Sequence, residues 1–305
     1  MQATLRRTVS FAGTGLHSGA PAHVSVTPQA ANIGIWFTRT DLSGASMIPA
    51  RFDAVPQSQL CTRLRGDDGA EVSTVEHIMA ALAGCGIHNA LVAVDGPELP
   101  ILDGSAAPFV RAFLDAGIQH QDAPIHAIEI LRPVIVREGE AMARLDPEDG
   151  LHMDFTIDFA DAAIGRQRRV ADLANGRFVR ELCDSRTFCR KADVDAMWAN
   201  GLALGGTMEN AVVVDGDEVL SPGGLRHADE AVRHKMLDAL GDLALAGAPI
   251  LGRYTGVRAG HMLTNRLLRA LFAAPDAYQF IECSPAQASR LPGVGVKTAD
   301  LADVA

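Results

Sequence analysis

At 305 residues and 48% hydrophobic side chains, the chain holds enough apolar material for two ordinary domains with packed cores. Its 37 acidic against 27 basic residues leave a net charge of −10, which disfavours non-specific attraction to nucleic acid or anionic lipid. An anionic substrate must therefore be met by local basic groups.

Taken in order, the chain opens with strand-like "AHVSVTP" (22–28) and "IGIWFTRT" (33–40), whose apolar residues alternate with polar ones. A helix "STVEHIMAALAG" (73–84), a strand "NALVAVDG" (89–96) and a helix "AAPFVRAFLDAGI" (106–118) follow. The polar stretch "QHQDAPIH" (119–126), with Pro124, reads as a linker. Beyond it come strand-like "AIEILRPVIVREG" (127–139) and "LHMDFTIDF" (151–159), a long helix from about Asp229 to Gly247, and a last helix "TNRLLRALFAA" (264–274). This order predicts an α+β fold of two similar layered domains, 1–124 and 125–305, each a mostly antiparallel sheet with about two helices.

No apolar run approaches the ~18 residues of a bilayer-spanning helix, and "MQATLRRTVSFAGTGLHSG" lacks a signal peptide's apolar centre. The five cysteines, Cys61, Cys85, Cys183, Cys189 and Cys283, contain no C-x-x-C pair. A cytoplasmic protein with reduced thiols is expected. "GTGLHSG" (13–19) lies between strand-like segments and does not open a helix, which argues against a nucleotide-binding loop, although His17 is a candidate for lining a site.

In the long helix, Val232, Met236, Ala239, Leu243 and Ala246 form the core-facing stripe. His234 and Asp238 lie ~200° from Val232 and Met236 at ~100° per residue, so nothing forces them into the core. An imidazole and a carboxylate one turn apart converge on one cation or simply hydrogen-bond on a helix surface; H-x-x-x-D alone leaves both readings open. Asp242 extends the same line.

In the first helix, Val75, Ile78, Met79 and Leu82 are apolar, and Glu76 and His77 stand at its start. Ser73-x-x-Glu76 matches a capping box, which would make Glu76 structural. The alternative is a metal ligand beside a carboxylate free to act as general base, since zinc lowers its bound water toward a pKa of ~7. H-E-x-x-H, the zinc-peptidase motif, is absent.

The segments "TVEHIMAALAGCGIHNALVAVDGPELPILDGSAAPFV", "SRTF", "GLALGG", "ENAVVVD", "VRHKMLDALGDL" and "GHMLTN" together resemble the zinc-dependent UDP-3-O-acyl-N-acetylglucosamine deacetylases of lipid A biosynthesis in Gram-negative bacteria. The resemblance runs in order from "GTGLHSG" to about residue 270. It implies one Zn2+ per chain held by His77, His234 and Asp238, with Glu76 as general base. It implies that His261 assists, protonated, as electrostatic stabiliser or general acid, with Asp242 orienting it, and that the Thr187 hydroxyl helps hold the oxyanion.

Phe188 is implied against the sugar and Lys235 near the diphosphate, where an exposed helix lysine would otherwise serve solubility. Leu60 and Thr62 are further substrate-side candidates. An inserted βαβ unit around 190–215 is implied to form an apolar acyl passage, with Val194, Ala203, Gly206 and Ala211 as wall candidates. Arg190 departs from the family, which carries an aromatic two residues beyond the phenylalanine of "SRTF". The stretch after residue 275 receives no role, and His23, His88, His120, His126, His152 and His227 show no partner pattern.

The implied activity is a zinc amidohydrolase that removes acetyl from a UDP-linked, 3-O-acylated glucosamine, with a small-molecule substrate, no integral membrane association and no required oligomer. A zinc hydrolase of another N-acylated sugar and a non-catalytic nucleotide-sugar-binding module are the rival readings.

Overall fold

The computed structural model describes residues 1–44, 46–56 and 60–301. A first sheet runs in the order Val9–Thr14, Pro21–Pro28, Ala90–Val94, Ile35–Arg39, Ile48–Pro49. Its pairs are antiparallel except for Ile35–Arg39 beside Ala90–Val94. Period-two alternation in Pro21–Pro28 buries Ala22, Val24 and Val26 and turns His23 outward. Helix α1 (Glu76–Gly84) buries Ile78, Met79 and Leu82, and α2 (Ala107–Ala116) sets Phe109 edge-on against Phe11 of this sheet, with ring centroids 4.8 Å apart.

A second sheet comes entirely from later residues. Val134–Glu138, Ala141–Asp146, Ile250–Val257, His126–Ile130 and Tyr278–Glu282 follow one another, while Leu151–Asp158 joins Ile250–Val257 and carries Arg166–Asp172 at its free edge. Most pairs are antiparallel, and Ile250–Val257 runs parallel to His126–Ile130 and Leu151–Asp158. The short α3 (Arg177–Glu181) precedes a small unit in which Phe188–Arg190, helix α4 (Lys191–Ala199) and parallel strand Val212–Asp215 make a βαβ turn. Helices α5 (Glu230–Ala244) and α6 (His261–Phe272) pack on the second sheet, and α7 (Pro285–Ala288) closes the set. The fold is thus α+β, as its order of elements predicts, with a βαβ unit in its second half.

Helices α1 and α5 bind the halves together, and one continuous apolar core runs through both. Gly241 of α5 permits the contact: a β-carbon there would lie 2.1 Å from the carbonyl oxygen of Glu76. This packing buries the face of α5 opposite its apolar stripe, so His234 and Asp238 are as buried as Val232 and Met236. Periodicity leaves their burial open because it shows a helix's apolar stripe but not a second helix lying on its other side.

Three further differences concern boundaries. Ser73 ends strand Glu71–Ser73 and α1 begins at Glu76 after Val75, with no side-chain cap, so the capping box does not form. The start of the expected linker is ordered as strand: Ile118–His120 pairs antiparallel with Ala3–Leu5, because the backbone of residues 3–5 offers a matching edge. Helix α6 starts three residues early, which makes His261 its first residue. Residues 302–305 of the expected second domain lie outside the described residues.

Candidate metal-centred active site

Two helix starts and one helix face meet. The first turn of α1 presents Glu76 and His77, successive turns of α5 present His234, Asp238 and Asp242, and α6 opens with His261. His234 Nε2 lies 3.3 Å and His77 Nε2 3.6 Å from Asp238 Oδ1, and the two imidazole rings stand edge to face at 5.1 Å. One ligand atom from each of the three residues falls within 4.8 Å of the others, and all three residues are buried.

The surroundings fit a cation. Asp238 Oδ1 is buried with no hydrogen-bond partner, which is costly unless a positive centre satisfies it. Its Oδ2 accepts from Lys235 Nζ at 2.7 Å. His234 Nδ1 donates to the Ser185 carbonyl at 2.9 Å, which turns the Nε2 lone pair toward Asp238. Burial pulls the His234 pKa down to about 4, so the ring is neutral, as a ligand must be. Burial works against the Asp238 carboxylate, but the neighbouring His234 and Lys235 hold it well below the usual range. Two nitrogens and one oxygen suit zinc with an open fourth position.

Beside this set lies an acid–base pair. His261 Nε2 is 3.8 Å from Glu76 Oε1 and 3.9 Å from Asp238 Oδ2, while its Nδ1 donates to Asp242 Oδ2 at 2.9 Å. Burial alone would push the imidazole down, but the Asp242 and Glu76 carboxylates override it and hold its pKa at about 9. Glu76 is raised above the ordinary glutamate range by burial, against the pull of His261 and His77. A carboxylate raised toward neutrality next to an imidazolium is the arrangement of a general base with an acid partner.

The remaining candidates are placed less uniformly. Thr187 is held by its backbone, with N–H to the Gly104 carbonyl and carbonyl from Val212 N–H, each at 2.8 Å. Phe188 stands edge-on to His234, with centroids 6.3 Å apart, and to Phe159 at 5.3 Å. Lys235 is not a solvated helix lysine: its ammonium is spent on Asp238. Leu60 is exposed, whereas Thr62 is buried, its hydroxyl 2.5 Å from Asp242 Oδ1 and its N–H 3.0 Å from Glu76 Oε2. Ala203 and Gly206 share one turn, Val194 is half-buried on α4, and Ala211 leads into strand Val212–Asp215. Arg190 reaches back to Asp161 at 2.5 Å, fastening the unit to the loop after Leu151–Asp158.

Sequence reasoning missed several supports. Glu98 is buried and accepts from His17 N–H and Ser18 N–H, both at 2.8 Å, and from the Thr74 hydroxyl at 2.9 Å, so it anchors the "GTGLHSG" loop beside α1. That loop in turn carries "GLALGG": Gly205 N–H donates to the Leu16 carbonyl at 3.0 Å, and a β-carbon on Gly205 would be 2.2 Å from the Gly15 carbonyl oxygen. The two glycine-rich motifs therefore serve each other's approach. Of the histidines without a pattern, His23 pairs with Asp95, His227 with Asp184, and His88 accepts from Ala3 N–H. No local signal marks these pairs, because the partners lie far apart in the chain.

An α+β scaffold with a buried His–His–Asp set, a raised carboxylate and a paired imidazole has the side chains of a metal-dependent hydrolase. The family model described as UDP-3-O-acyl N-acetylglycosamine deacetylase matches residues 2–273, and the chain belongs to that family. Curated relatives named UDP-3-O-acyl-N-acetylglucosamine deacetylase include those of Shewanella sp. (strain W3-18-1), 48% identical, and Shewanella oneidensis, 47% identical, each over 92% of both chains. The protein of Shewanella baltica (strain OS155) is 48% identical over the same shares.

Proposed function

We propose that this chain is a zinc-dependent deacetylase that removes the N-acetyl group from UDP-3-O-acyl-N-acetylglucosamine, an early step in making lipid A. The observation that carries the reading is the orphaned Asp238 Oδ1 facing two histidine nitrogens, with Glu76 alongside but engaged by none of the three. Its relatives' names supply the substrate.

His77, His234 and Asp238 would hold one zinc ion, which supplies Lewis acidity and makes water acidic enough to attack near neutral pH. Glu76, its Oε2 occupied by Thr62, takes the water's proton at Oε1. His261, kept protonated by Asp242 and Glu76, faces the same space and gives a proton to the departing amine, while the Thr187 hydroxyl donates to the developing oxyanion. Phe188 packs on the sugar, Lys235 holds the second oxygen of Asp238 rather than standing free for the diphosphate, and the βαβ unit with Val194, Ala203, Gly206 and Ala211 walls the acyl chain. The halves 1–124 and 125–305 act as two domains across this site. Among the described residues no helix is long and apolar enough to cross a membrane, and we assign the enzyme to the cytoplasm.

The test is acetate release from the UDP-sugar by purified protein, before chelation, after it, and after one equivalent of zinc. Activity should vanish and return. Glu76→Gln should lose about 100-fold or more in kcat while keeping zinc, as expected for loss of a general base, and His234→Ala should lose the zinc itself. An active Glu76→Gln enzyme removes Glu76 from the mechanism. A folded wild-type protein that never releases acetate but binds the nucleotide-sugar with or without metal is a binding module instead.

A further inference from the structure

We infer that Thr62 is a positioning residue that fixes which oxygen of Glu76 and which oxygen of Asp242 is left for chemistry. The inference rests on the deacetylase reading above. Thr62 lies outside the three helices that carry the site, on the segment leading into strand Arg63–Arg65, and it is buried to 3% exposure.

All three of its polar groups are committed. Its N–H donates to Glu76 Oε2 at 3.0 Å, its carbonyl accepts from Val75 N–H at 3.2 Å, and its hydroxyl donates to Asp242 Oδ1 at 2.5 Å. Val75 immediately precedes α1, so the carbonyl bond pins the helix start while the N–H bond pins the first side chain of that helix. The hydroxyl bond crosses to α5. One residue thereby locks the start of α1 to the third acidic turn of α5, at the point where both face His261.

The consequence is one of orientation. A carboxylate rotates freely unless one oxygen is held. With Oε2 of Glu76 taken, Oε1 is the oxygen that faces His261 Nε2 at 3.8 Å. With Oδ1 of Asp242 taken, Oδ2 is the oxygen that receives His261 Nδ1–H at 2.9 Å. The Thr62 hydroxyl thus fixes the orientation of Asp242. The sequence suggested a substrate contact for Thr62; the geometry sets its hydroxyl on the Asp242 carboxylate and its N–H on that of Glu76.

Two substitutions test this. Thr62→Val keeps the branched shape and both backbone bonds but removes the hydroxyl, and Thr62→Ser restores it. Thr62→Val should keep full zinc content and lose about tenfold or more in kcat for acetate release, the scale of one hydrogen bond to a charged group. Its KM should remain within about twofold, because no substrate contact is lost. Thr62→Ser should recover most of kcat. In metal-free protein, the low-field NMR signal of the His261 Nδ1 proton should shift in Thr62→Val and return in Thr62→Ser, since the oxygen that receives it is no longer held. Wild-type kcat in Thr62→Val, a loss confined to KM, an inactive Thr62→Ser, or an unmoved Nδ1 proton would overturn the assignment. Wild-type protein that releases no acetate would defeat the deacetylase reading instead, and the Nδ1 signal would still decide whether Thr62 orients Asp242.

Discussion

Glu230 shows how much a single residue can hold. Buried at 1% exposure, it accepts from Arg186 N–H and Nε at 2.9 Å each and from Arg226 N–H at 2.7 Å. Arg186 sits between Ser185, whose carbonyl orients His234, and Thr187, so this pair ties the "SRTF" turn to the start of α5. Burial works against the Glu230 carboxylate, but the Arg186 side chain and the two backbone N–H groups outweigh it and hold its pKa below the ordinary value. A group more acidic folded than unfolded stabilises fully above the unfolded value of about 4.3, and the contribution drains away as pH falls through the folded value. Glu230→Gln should cost about 3 kcal/mol at pH 7, because it leaves the Arg186 guanidinium buried and unpaired. Thermal unfolding from pH 7 down to pH 3 should show the wild type losing stability at the acid end and the variant losing less. Equal acid sensitivity in both would show that Glu230 is not a source of it. In the sequence, "ADEAVRHK" looks like a solvated helix start, because the arginine that buries Glu230 lies 44 residues away.

At the scale of elements, what was legible followed periodicity. The alternating strand Pro21–Pro28 and the striped helices α2 and α5 stand within a few residues of their expected positions, since each buries one continuous face. Ala3–Leu5 and Ile118–His120 were not legible: three residues carry no period, and their pairing is long-range. The capping box failed for a related reason, as Thr74 takes φ +60° and gives its hydroxyl to Glu98, leaving Ser73 in a strand. That conformation is rare for a β-branched residue, and it leaves the Glu76 side chain free of a capping role at the start of α1.

The contact between α1 and α5 carries a prediction of its own. Gly241 is a poor helix former, yet alanine, the best, should do harm there. Its methyl group would meet the Glu76 carbonyl oxygen at 2.1 Å, so the helices must part. Gly241→Ala should lower stability by about 1–3 kcal/mol, the range for overpacking. It should also reduce activity further than stability loss explains, by displacing Glu76. Denaturant unfolding and acetate release on the same preparation check this. A variant more stable than wild type, following helix propensity alone, would mean that α1 and α5 are not in backbone contact.

For the whole molecule, the arrangement of the ligands matters more than their number. The ordered family motifs, spread over most of the chain, pointed to the proposed ligand set, but not to how it is built: His77 comes from α1 in the first half, and His234 and Asp238 come from α5 in the second. A cation bound there is a cross-link between the halves, absent from the unfolded chain. Binding that favours only the folded state stabilises by about 2.7 kcal/mol at a hundredfold excess over Kd. Chelation should therefore lower Tm by several degrees, given about 2–4 °C per kcal/mol in chains of 150–250 residues. One equivalent of zinc should restore it. The same titration on His77→Ala should show no zinc-dependent rise, because the remaining pair lies on one helix and no longer joins the halves, whereas Glu76→Gln should keep the rise while losing catalysis. A Tm indifferent to zinc in wild-type protein would sink the metal cross-link, and a rise that survives in His77→Ala would place the ion on α5 alone.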